Sequence, residues 1–471
     1  MDRGSLRDAL GYSIVKYVAM ALGFLRIFFC AWVLGPEEFG VLGFFLLMLG
    51  FLAFAHFGVL YAMSRDFALS GVLMSNSSGE GILSSALVVV VSIGVLLGVS
   101  SVVVLALVST QVGIYWSLAL LVAIGDLFRA YFTNYFRLRG SIRSLNVLDL
   151  VYQFVSLGVL VSVVAALGVA GALGAQLSGG VACLGYCLIR TRGVSFRVER
   201  VALKALLLGG FPLLLYNFGF YSMGSIDRLF IVGYFDDRTL GQYTFSNQVS
   251  SGVLLFLSSM LFLYYPQAIR RMHREAVGAE NAFKYSLGAT RLLEGVGVVL
   301  YVAGAVIVEF VVALLVPEYT ESVLILRISL LGAIASHCCF FWNVTIVSNA
   351  RQWMLVLLQC GVICAAFGMN LLFLELGLGV TGVALASLCS MLIYAWVQQW
   401  LAVSRVLGCG GRLSGLAWKG SLRFVGFVVS ACGLALAGFG TLSYAVCIVV
   451  LASAFYGSVW VRGVALLREH R

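Results

Sequence analysis

The sequence predicts an all-α polytopic membrane protein with about fourteen transmembrane helices. Three observations support this fold class. Apolar residues make up 62% of the chain and charged residues 11%, and only 4 prolines occur in 471 positions. A helix needs roughly 20 apolar residues to cross about 30 Å of hydrocarbon, and most of the chain divides into such segments. The segments are continuously apolar, whereas the strands of a transmembrane barrel alternate.

Short polar breaks separate the predicted spans, and each span is long enough to cross the bilayer as a helix. In chain order they cover 10–34, 40–62, 82–108, 114–136, 146–166, 170–189, 205–235, 242–265, 287–316, 323–347, 353–374, 380–403, 421–438 and 441–461. The boundaries between spans 5 and 6 and between spans 13 and 14 are the least defined, because the turns around Gly168 and Thr441 are very short.

Lysine and arginine are unevenly distributed over the predicted loops, and positively charged loops stay in the cytoplasm. Most of the 30 lysines and arginines fall on the side of the N-terminus, and only Arg238 and Arg327 are expected outside. The outer turns are acidic and hold Glu37, Glu38, Asp236, Asp237, Glu318, Glu321 and Glu375. We therefore expect both termini in the cytoplasm. The net charge of +10 reflects this topology, and no basic soluble domain is present to bind nucleic acid.

Two pairs of matching segments indicate an internal repeat. The turn LGVAG at 167–171 matches LGVTG at 378–382, and Arg26 precedes Gly40 much as Arg228 precedes Gly241. The two offsets are similar, and each match occupies the same place in the hydropathy pattern. We therefore expect two parallel six-helix repeats that form two lobes around a central cavity. The predicted domains are 1–204 (spans 1–6), 205–403 (spans 7–12) and an appended part, 404–471 (spans 13 and 14 and a cytoplasmic tail).

Charged residues inside the predicted spans are the candidate functional residues, because a charge at the bilayer centre costs about 2.5–3.5 kcal/mol on insertion scales. The candidates for binding an anionic substrate in the cavity are Arg26, Arg228, Arg129 and Lys16. The candidates for coupling to an ion gradient are Asp227, Asp126 and Glu309. Simpler interpretations stay open. Asp126 and Arg129 have the spacing of an intrahelical pair, and Lys16 is close enough to the inner headgroups to reach them. No metal site is expected, since the closely spaced cysteines lack a third ligand.

The residues in several of these segments resemble a known family. LGPEEFGVLGFFLLMLGFLAFAHFG in spans 1 and 2, GGFPLLLYNFGFYSMGSIDRLFIVGYF in span 7, VPEYTESVLILRI before span 10 and GMNLLFLELGLGVTGVALAS in spans 11 and 12 resemble the polysaccharide-transporter branch of the multidrug/oligosaccharidyl-lipid/polysaccharide (MOP) exporter superfamily. The resemblance covers nearly the whole chain. It is to the Wzx-type O-antigen and exopolysaccharide flippases in particular.

This resemblance implies a flippase, and not an enzyme, in the bacterial inner membrane. Its substrate would be an undecaprenyl-pyrophosphate-linked oligosaccharide repeat unit, moved by alternating access for lipopolysaccharide or exopolysaccharide biosynthesis. A polysaccharide polymerase and a chain-length regulator would be its partners besides membrane lipid. No cofactor is expected, and a proton or sodium gradient would drive transport. Arg26 and Arg228 suit the pyrophosphate, because the guanidinium fork binds phosphate oxygens two at a time.

Other functions remain open at this stage. A lipid II flippase would have the same architecture and an anionic lipid substrate. A drug exporter of the same superfamily would favour an anionic lumen, whereas arginines are prominent here. A membrane polymerase or glycosyltransferase would use the same substrate, but it would need a sizeable outer loop, and the longest predicted loops are cytoplasmic.

Overall fold

The computed structural model of the chain describes residues 3–64, 76–191, 198–254, 278–349, 351–409 and 412–469, together with residues 257, 261, 268 and 272. Side chains are described within these ranges except at 3–14, 76–78, 352, 412–414 and 458–469. Most of the second half of predicted span 8 lies outside the described residues.

Every regular element in the described part of the chain is helical, as the continuous apolar segments predict. The α-helices are α1 (Arg3–Leu52), α2 (Asn76–Leu107), α3 (Gln111–Leu138), α4 (Ile142–Arg190), α5 (Arg200–Met223), α6 (Ile226–Tyr234), α7 (Asp237–Val253), α8 (Ala279–Leu315), α9 (Ser322–Cys338), α10 (Phe340–Ser348), α11 (Gln352–Glu375), α12 (Gly379–Trp400), α13 (Arg412–Leu436) and α14 (Thr441–Glu469). A 3₁₀ turn covers Pro317–Tyr319, and a π-helical turn, Leu401–Val406, continues α12. Ten described helical segments are long and apolar enough to cross a membrane.

Two of the longest helices each contain a break that divides them into two spans. Gly35 lies inside α1 with φ 68°, and Gly168 lies inside α4 with φ 55°. Only glycine adopts this left-handed region without a steric penalty. The break in α1 falls between predicted spans 1 and 2, and the break in α4 falls between predicted spans 5 and 6. These positions agree with the sequence prediction.

Three predicted spans are interrupted where the sequence predicted continuous helices. Span 2 turns at residues 53–58, where His56 Nδ1 accepts a hydrogen bond of 3.0 Å from the Gly58 amide. Span 7 divides into α5 and α6 at Gly224 and Ser225, and span 10 divides into α9 and α10 at Cys339. The prediction missed these breaks because hydropathy is insensitive to a single irregular turn.

The described chain clusters into two compact units, Met1–Tyr221 and Ser222–Arg471. In the first unit, which we call unit 1, α4 packs against α1 and α3, and α2 packs against α3. In the second, unit 2, α9 packs against α7, α8 and α12, while α13 and α14 pack against α8. The predicted domain boundaries at residues 204 and 403 stay predictions.

The predicted repeat has a counterpart in the backbone of each unit. The turns LGVAG (167–171) and LGVTG (378–382) are called the two LGV-Gly turns. Gly168 and Gly379, the second residues of these turns, have φ values of 55° and 56°. A Cβ on Gly171 would lie 3.1 Å from Leu167 Cβ, and one on Gly382 would lie 2.8 Å from the equivalent Leu378 Cβ. Each turn therefore needs a glycine for its conformation and another for the close approach of its flanking segments.

Candidate functional site

One face of α4 carries polar side chains that contact the predicted cations of unit 1, which are Lys16, Arg26 and Arg129. Asp149, Tyr152 and Ser156 follow one another at intervals of three and four residues, which places them along one face of a helix. All three residues are at most 7% exposed. This face presents a carboxylate, an aromatic ring and a hydroxyl in that order along α4.

Two side chains of α1 bind this face in the same order. Lys16 Nζ forms an ion pair of 2.7 Å with Asp149 Oδ2, and Arg26 Nη1 donates a hydrogen bond of 3.1 Å to Ser156 Oγ. The earlier residue of α1 contacts the earlier residue of α4, and the later contacts the later, so α1 and α4 run in the same direction here. Lys16 is therefore neutralised by a protein carboxylate.

Arg129 reaches the same face from α3. It donates hydrogen bonds of 3.3 Å and 3.2 Å through Nε and Nη2 to Asp126 Oδ1, so the predicted intrahelical pair is present. Its guanidinium carbon lies 4.2 Å from the centre of the Tyr152 ring, and that of Arg26 lies 5.6 Å away. Tyr152 thus lies beside two guanidinium groups, which its ring attracts electrostatically.

Arg26 differs from the other two cations of this cluster. Among the side chains that the structure describes, no carboxylate lies within ion-pair distance of its guanidinium group. A serine hydroxyl and an aromatic ring hold the group without neutralising it. Its charge is therefore left without a counter-ion among the described side chains.

In unit 2, Asp227 and Arg228 open the short helix α6 directly after the break in span 7. Asp227 is buried, and its Oδ2 accepts a hydrogen bond of 2.6 Å from Tyr243 Oη on α7. Its Oδ1 accepts one of 2.7 Å from the Arg228 amide. The carboxylate thus has a partner on a neighbouring helix.

Arg228 binds locally instead of on a neighbouring span. Its Nη2 donates to Gly224 O at 3.3 Å and to Ser225 Oγ at 3.0 Å, and its Nε lies 4.0 Å from Asp227 Oδ1. That Nε is buried and has no hydrogen-bond partner among the described residues. The break at Gly224 and Ser225 turns backbone and hydroxyl oxygens toward the guanidinium group and leaves one of its donors unused.

Glu309 lies in a third polar cluster, where helices α8, α9 and α14 meet. It is ion-paired with Arg327 and accepts a hydrogen bond of 2.6 Å from Thr441 Oγ1. The Arg327 guanidinium lies 3.6 Å from the centre of the Tyr444 ring. Arg327, which the sequence places near the outer end of span 10, is 5% exposed and lies inside the bundle. Its position one turn into α9 lets it reach a carboxylate that the sequence left without a partner.

The acidic turn at Asp236 and Asp237, predicted to be an outer turn, has a structural role. Asp236 Oδ1 accepts a hydrogen bond of 3.0 Å from the Thr239 amide and caps α7. Hydrogen bonding by the Thr239 side chain and by its amide holds the pKa of Asp236 below its usual range.

A cavity of about 500 Å³ lies in unit 1 near the breaks of α1 and α4. Glu38, Gln111 and Tyr115 contribute its polar lining, and valine, leucine and alanine side chains contribute the rest. A carboxylate, an amide and a phenol offer both acceptors and donors of hydrogen bonds. This set suits a ligand that carries hydroxyl groups.

Sequence reasoning missed the uncharged members of these clusters, namely Tyr152, Ser156 and Tyr243. A tyrosine or serine inside an apolar span has no sequence signal that separates it from a packing residue. The aromatic residues Tyr221 and Trp342 pack inside their own units. Tyr221 contacts Phe51 and Phe54, and Trp342 is 1% exposed.

No protein-family model matches the chain, and no curated protein is similar to it in sequence. Several solved structures share its fold. An inward-facing multidrug resistance MATE family transporter of the MOP superfamily has a TM-score of 0.66 at 15% identity and covers 86% of this chain and 99% of its own. The lipid II flippase MurJ in an inward closed conformation has a TM-score of 0.65 at 14% identity and covers 96% of this chain and 99% of its own. An outward-facing MATE transporter has a TM-score of 0.59 at 16% identity.

These comparisons confirm the predicted fold class. The chain is a multi-pass, all-helical protein with the fold of MATE transporters and MurJ. The more specific assignment to the Wzx-type branch stays a prediction, because identities near 15% show the fold alone.

Proposed function

We propose that the chain is a flippase that moves an undecaprenyl-pyrophosphate-linked oligosaccharide repeat unit across the bacterial inner membrane by alternating access. In this proposal both termini are cytoplasmic, and O-antigen or exopolysaccharide synthesis consumes the product. The pyrophosphate binds to arginine side chains, and the prenyl chain stays in lipid.

The observation that carries the proposal is the set of groups that surround the Arg26 guanidinium. A guanidinium inside a membrane span is costly, yet this one is held by Ser156 and Tyr152 without a carboxylate among the described side chains. A structural arginine in this environment would be expected to have a counter-ion. A phosphate group of the substrate supplies one, and a planar guanidinium binds two of its oxygens at once.

Two further features support an anionic, sugar-bearing ligand. Arg228 keeps an unused buried Nε beside the break in span 7, and irregular backbone at membrane depth is tolerated where it lines a cavity. The polar lining at Glu38, Gln111 and Tyr115 suits the hydroxyl groups of a sugar.

Genetic complementation tests the proposal. Deletion of the gene should leave lipid-linked repeat units facing the cytoplasm, and the wild-type gene should restore surface polysaccharide. We expect Arg26→Ala and Arg228→Ala to lower the surface polysaccharide about tenfold or more, because one charge-assisted hydrogen bond contributes about 1.5–3 kcal/mol. Arg26→Lys should restore part of the loss, since it keeps the charge but not the fork.

The matched control is Arg238→Ala, which removes an arginine whose side chain is 58% exposed. This variant should behave as wild type at equal protein levels. Full restoration by both Arg26→Ala and Arg228→Ala would contradict the pyrophosphate assignment. Repeat units that reach the periplasm in the deletion strain without being polymerised would favour a polymerase.

A lipid II flippase is the second candidate, because the MurJ structure covers 96% of this chain, whereas the MATE structure covers 86%. Its substrate is also a pyrophosphate-linked lipid, so Arg26 and Arg228 do not separate the two candidates. Expression of this chain in cells depleted of their lipid II flippase does separate them. Restored growth would favour the second candidate.

A further inference from the structure

A small cavity inside unit 2 contains a buried carboxylate that the substrate proposal does not use. It has a volume of about 40 Å³ and is bounded by α8, α9, α10, α12 and α13. Its polar lining comes from Thr290, Glu294, Trp342, Gln399 and Ser421. Since one water molecule needs roughly 10–15 Å³ of such volume, the cavity has space for two or three.

Two of the lining groups have no protein partner. Thr290 Oγ1 and Trp342 Nε1 are buried and form no hydrogen bond with any residue that the structure describes. Thr290 is 5% exposed and Trp342 is 1% exposed. Buried polar groups around a cavity of this size are ordinarily satisfied by water. The cavity therefore has both the space and the unsatisfied groups that bound water requires.

Glu294 is held more loosely than the other buried carboxylates that the structure describes. Its Oε2 lies 3.7 Å from Arg423 Nη2 and accepts a long hydrogen bond of 3.4 Å from Tyr456 Oη. By contrast, Asp149 has a cation at 2.7 Å and Asp227 has a hydroxyl donor at 2.6 Å. A carboxylate with weak donors and adjacent water is the one most easily protonated.

The surroundings of Glu294 can tolerate both of its protonation states. Arg423 on α13 is the one cation that the structure places within 4 Å of it, and Arg291, one turn earlier on α8, also interacts with its charge. Tyr456 on α14 and Cys338 on α9 complete the titratable groups that face it. The Arg423 guanidinium also lies 4.9 Å from the centre of the Tyr456 ring, so it keeps a favourable contact when Glu294 is neutral.

We propose that Glu294 is a proton-binding site, hydrated through this cavity, and that proton uptake breaks its ion pair with Arg423. An excess proton from bulk solvent, passed on as hydronium through the cavity water, adds to the carboxylate and forms the neutral acid and a water molecule; on release the acid returns a proton to water as hydronium. Because the pair joins α8 to α13, the two states differ in how these helices are tied together. The role of Glu294 as the coupling site of a transporter rests on the function proposed above. Proton binding by Glu294 does not depend on that function.

Infrared difference spectroscopy of the full chain in lipid nanodiscs tests proton binding directly. As the pH is lowered, the wild type should gain a carbonyl band of a protonated carboxylic acid. Glu294→Gln should lose this band, and the matched control Glu280→Gln, an exposed position on the same helix, should keep it. In Arg423→Gln the band should appear at a higher pH, because the cation that favours the carboxylate is gone.

A band that persists unchanged in Glu294→Gln would overturn the proposal, and so would a wild type without a band at any pH. If Glu294→Gln does not fold, an unchanged titration in Arg423→Gln would overturn the proposal as well.

Reconstituted translocation separates this inference from the proposed function. With a fluorescent polyprenyl-pyrophosphate-linked sugar as the probe, a proton gradient should accelerate the wild type by roughly 5- to 150-fold, the range of ordinary coupling energies. Glu294→Gln should lose this acceleration, and Glu280→Gln should keep it. No translocation by a wild type that shows the band would refute the proposed function alone. Translocation by a wild type that lacks the band would refute the proton site alone.

Discussion

Tyr152 brings the charged residues of unit 1 together, although it carries no charge itself. Its ring lies beside the guanidinium groups of Arg129 and Arg26, while Asp149 and Ser156 flank it on the same face of α4. The ring attracts the cations without neutralising them. A cation thereby stays available inside the membrane at a lower cost than an isolated arginine would have.

Replacement of this ring is the first prediction. Tyr152→Leu should destabilise the protein by about 1–2 kcal/mol and lower its melting temperature, because two cation–π contacts are lost. Tyr152→Phe keeps the ring and should stay close to the wild type. Thermal unfolding of the purified protein in detergent measures both variants. Equal losses in the two variants would assign the effect to the hydroxyl group instead.

The pair of Glu309 and Arg327 gives a second prediction at the residue scale. Arg327→Leu should cost about 3–5 kcal/mol, since it leaves a partly buried carboxylate without its cation. The double variant Glu309→Leu with Arg327→Leu should lose less than the sum of the two single losses, because no charge is left uncompensated. Chemical unfolding of the two single variants, the double variant and the wild type provides this double-mutant cycle. Additive losses would contradict direct coupling between the two side chains.

At the scale of helices, the two LGV-Gly turns show how a duplicated element can keep its geometry while its sequence diverges. Each turn has a glycine with positive φ, followed three residues later by a glycine packed against a leucine. A left-handed backbone and a close approach are the two demands that only glycine meets without strain. This requirement kept a five-residue match in the sequence, which indicated the repeat together with the match around Arg26 and Arg228.

The packed glycine of the second turn provides the third prediction. Gly382→Ala should destabilise the protein by about 1–3 kcal/mol, because the new Cβ would lie 2.8 Å from Leu378 Cβ. Gly361→Ala in α11 is the matched control, since nothing lies within 4 Å of its added Cβ and alanine favours a helix. This control should be neutral or stabilising. Thermal unfolding distinguishes the two variants, and a stable Gly382→Ala would contradict the close approach.

At the scale of the whole molecule, spans 13 and 14 contribute to the buried polar contacts of unit 2. Thr441 and Tyr456 on α14 bind Glu309 and Glu294 on α8. The two contacts lie fifteen residues apart on each helix, so α8 and α14 run antiparallel. Tyr301 and Tyr444 share a hydrogen bond of 2.6 Å between them. These helices, predicted as an appendage, therefore satisfy polar groups that α8 and α9 bury.

Removal of these two helices is the fourth prediction. A chain that ends at residue 409 should not accumulate as a monodisperse protein, because Glu294, Glu309 and Arg327 would lose partners inside the membrane. Co-expression of residues 410–471 as a separate segment should restore it. Size-exclusion chromatography of fluorescently tagged chains measures the outcome. A truncated chain with the elution profile and melting temperature of the full chain would show that the two helices are dispensable.

Much of the fold was predictable from the sequence because the bilayer imposes a strong length and polarity requirement on each span. The breaks at Gly35 and Gly168 fell where glycine follows a long apolar run. The breaks in spans 2, 7 and 10 were not predictable, since local turns within an apolar segment leave the mean hydropathy unchanged. Among the site residues, Lys16, Arg26 and Asp227 were identifiable because a charge in a span is costly. Their partners Ser156 and Tyr243 were not.

The sequence by itself determined that the chain crosses a membrane many times, that it contains a repeat, and which charged residues lie within its spans. These features follow from the composition of the chain and from the spacing of its apolar segments, which are local properties of the sequence. The tertiary structure alone decided which of those charges are neutralised. It pairs Lys16 with Asp149 and Glu309 with Arg327, and it leaves Arg26 on a serine and an aromatic ring. The physical reason is that the availability of a charge depends on neighbours contributed by other helices, and their register is set only when the helices pack.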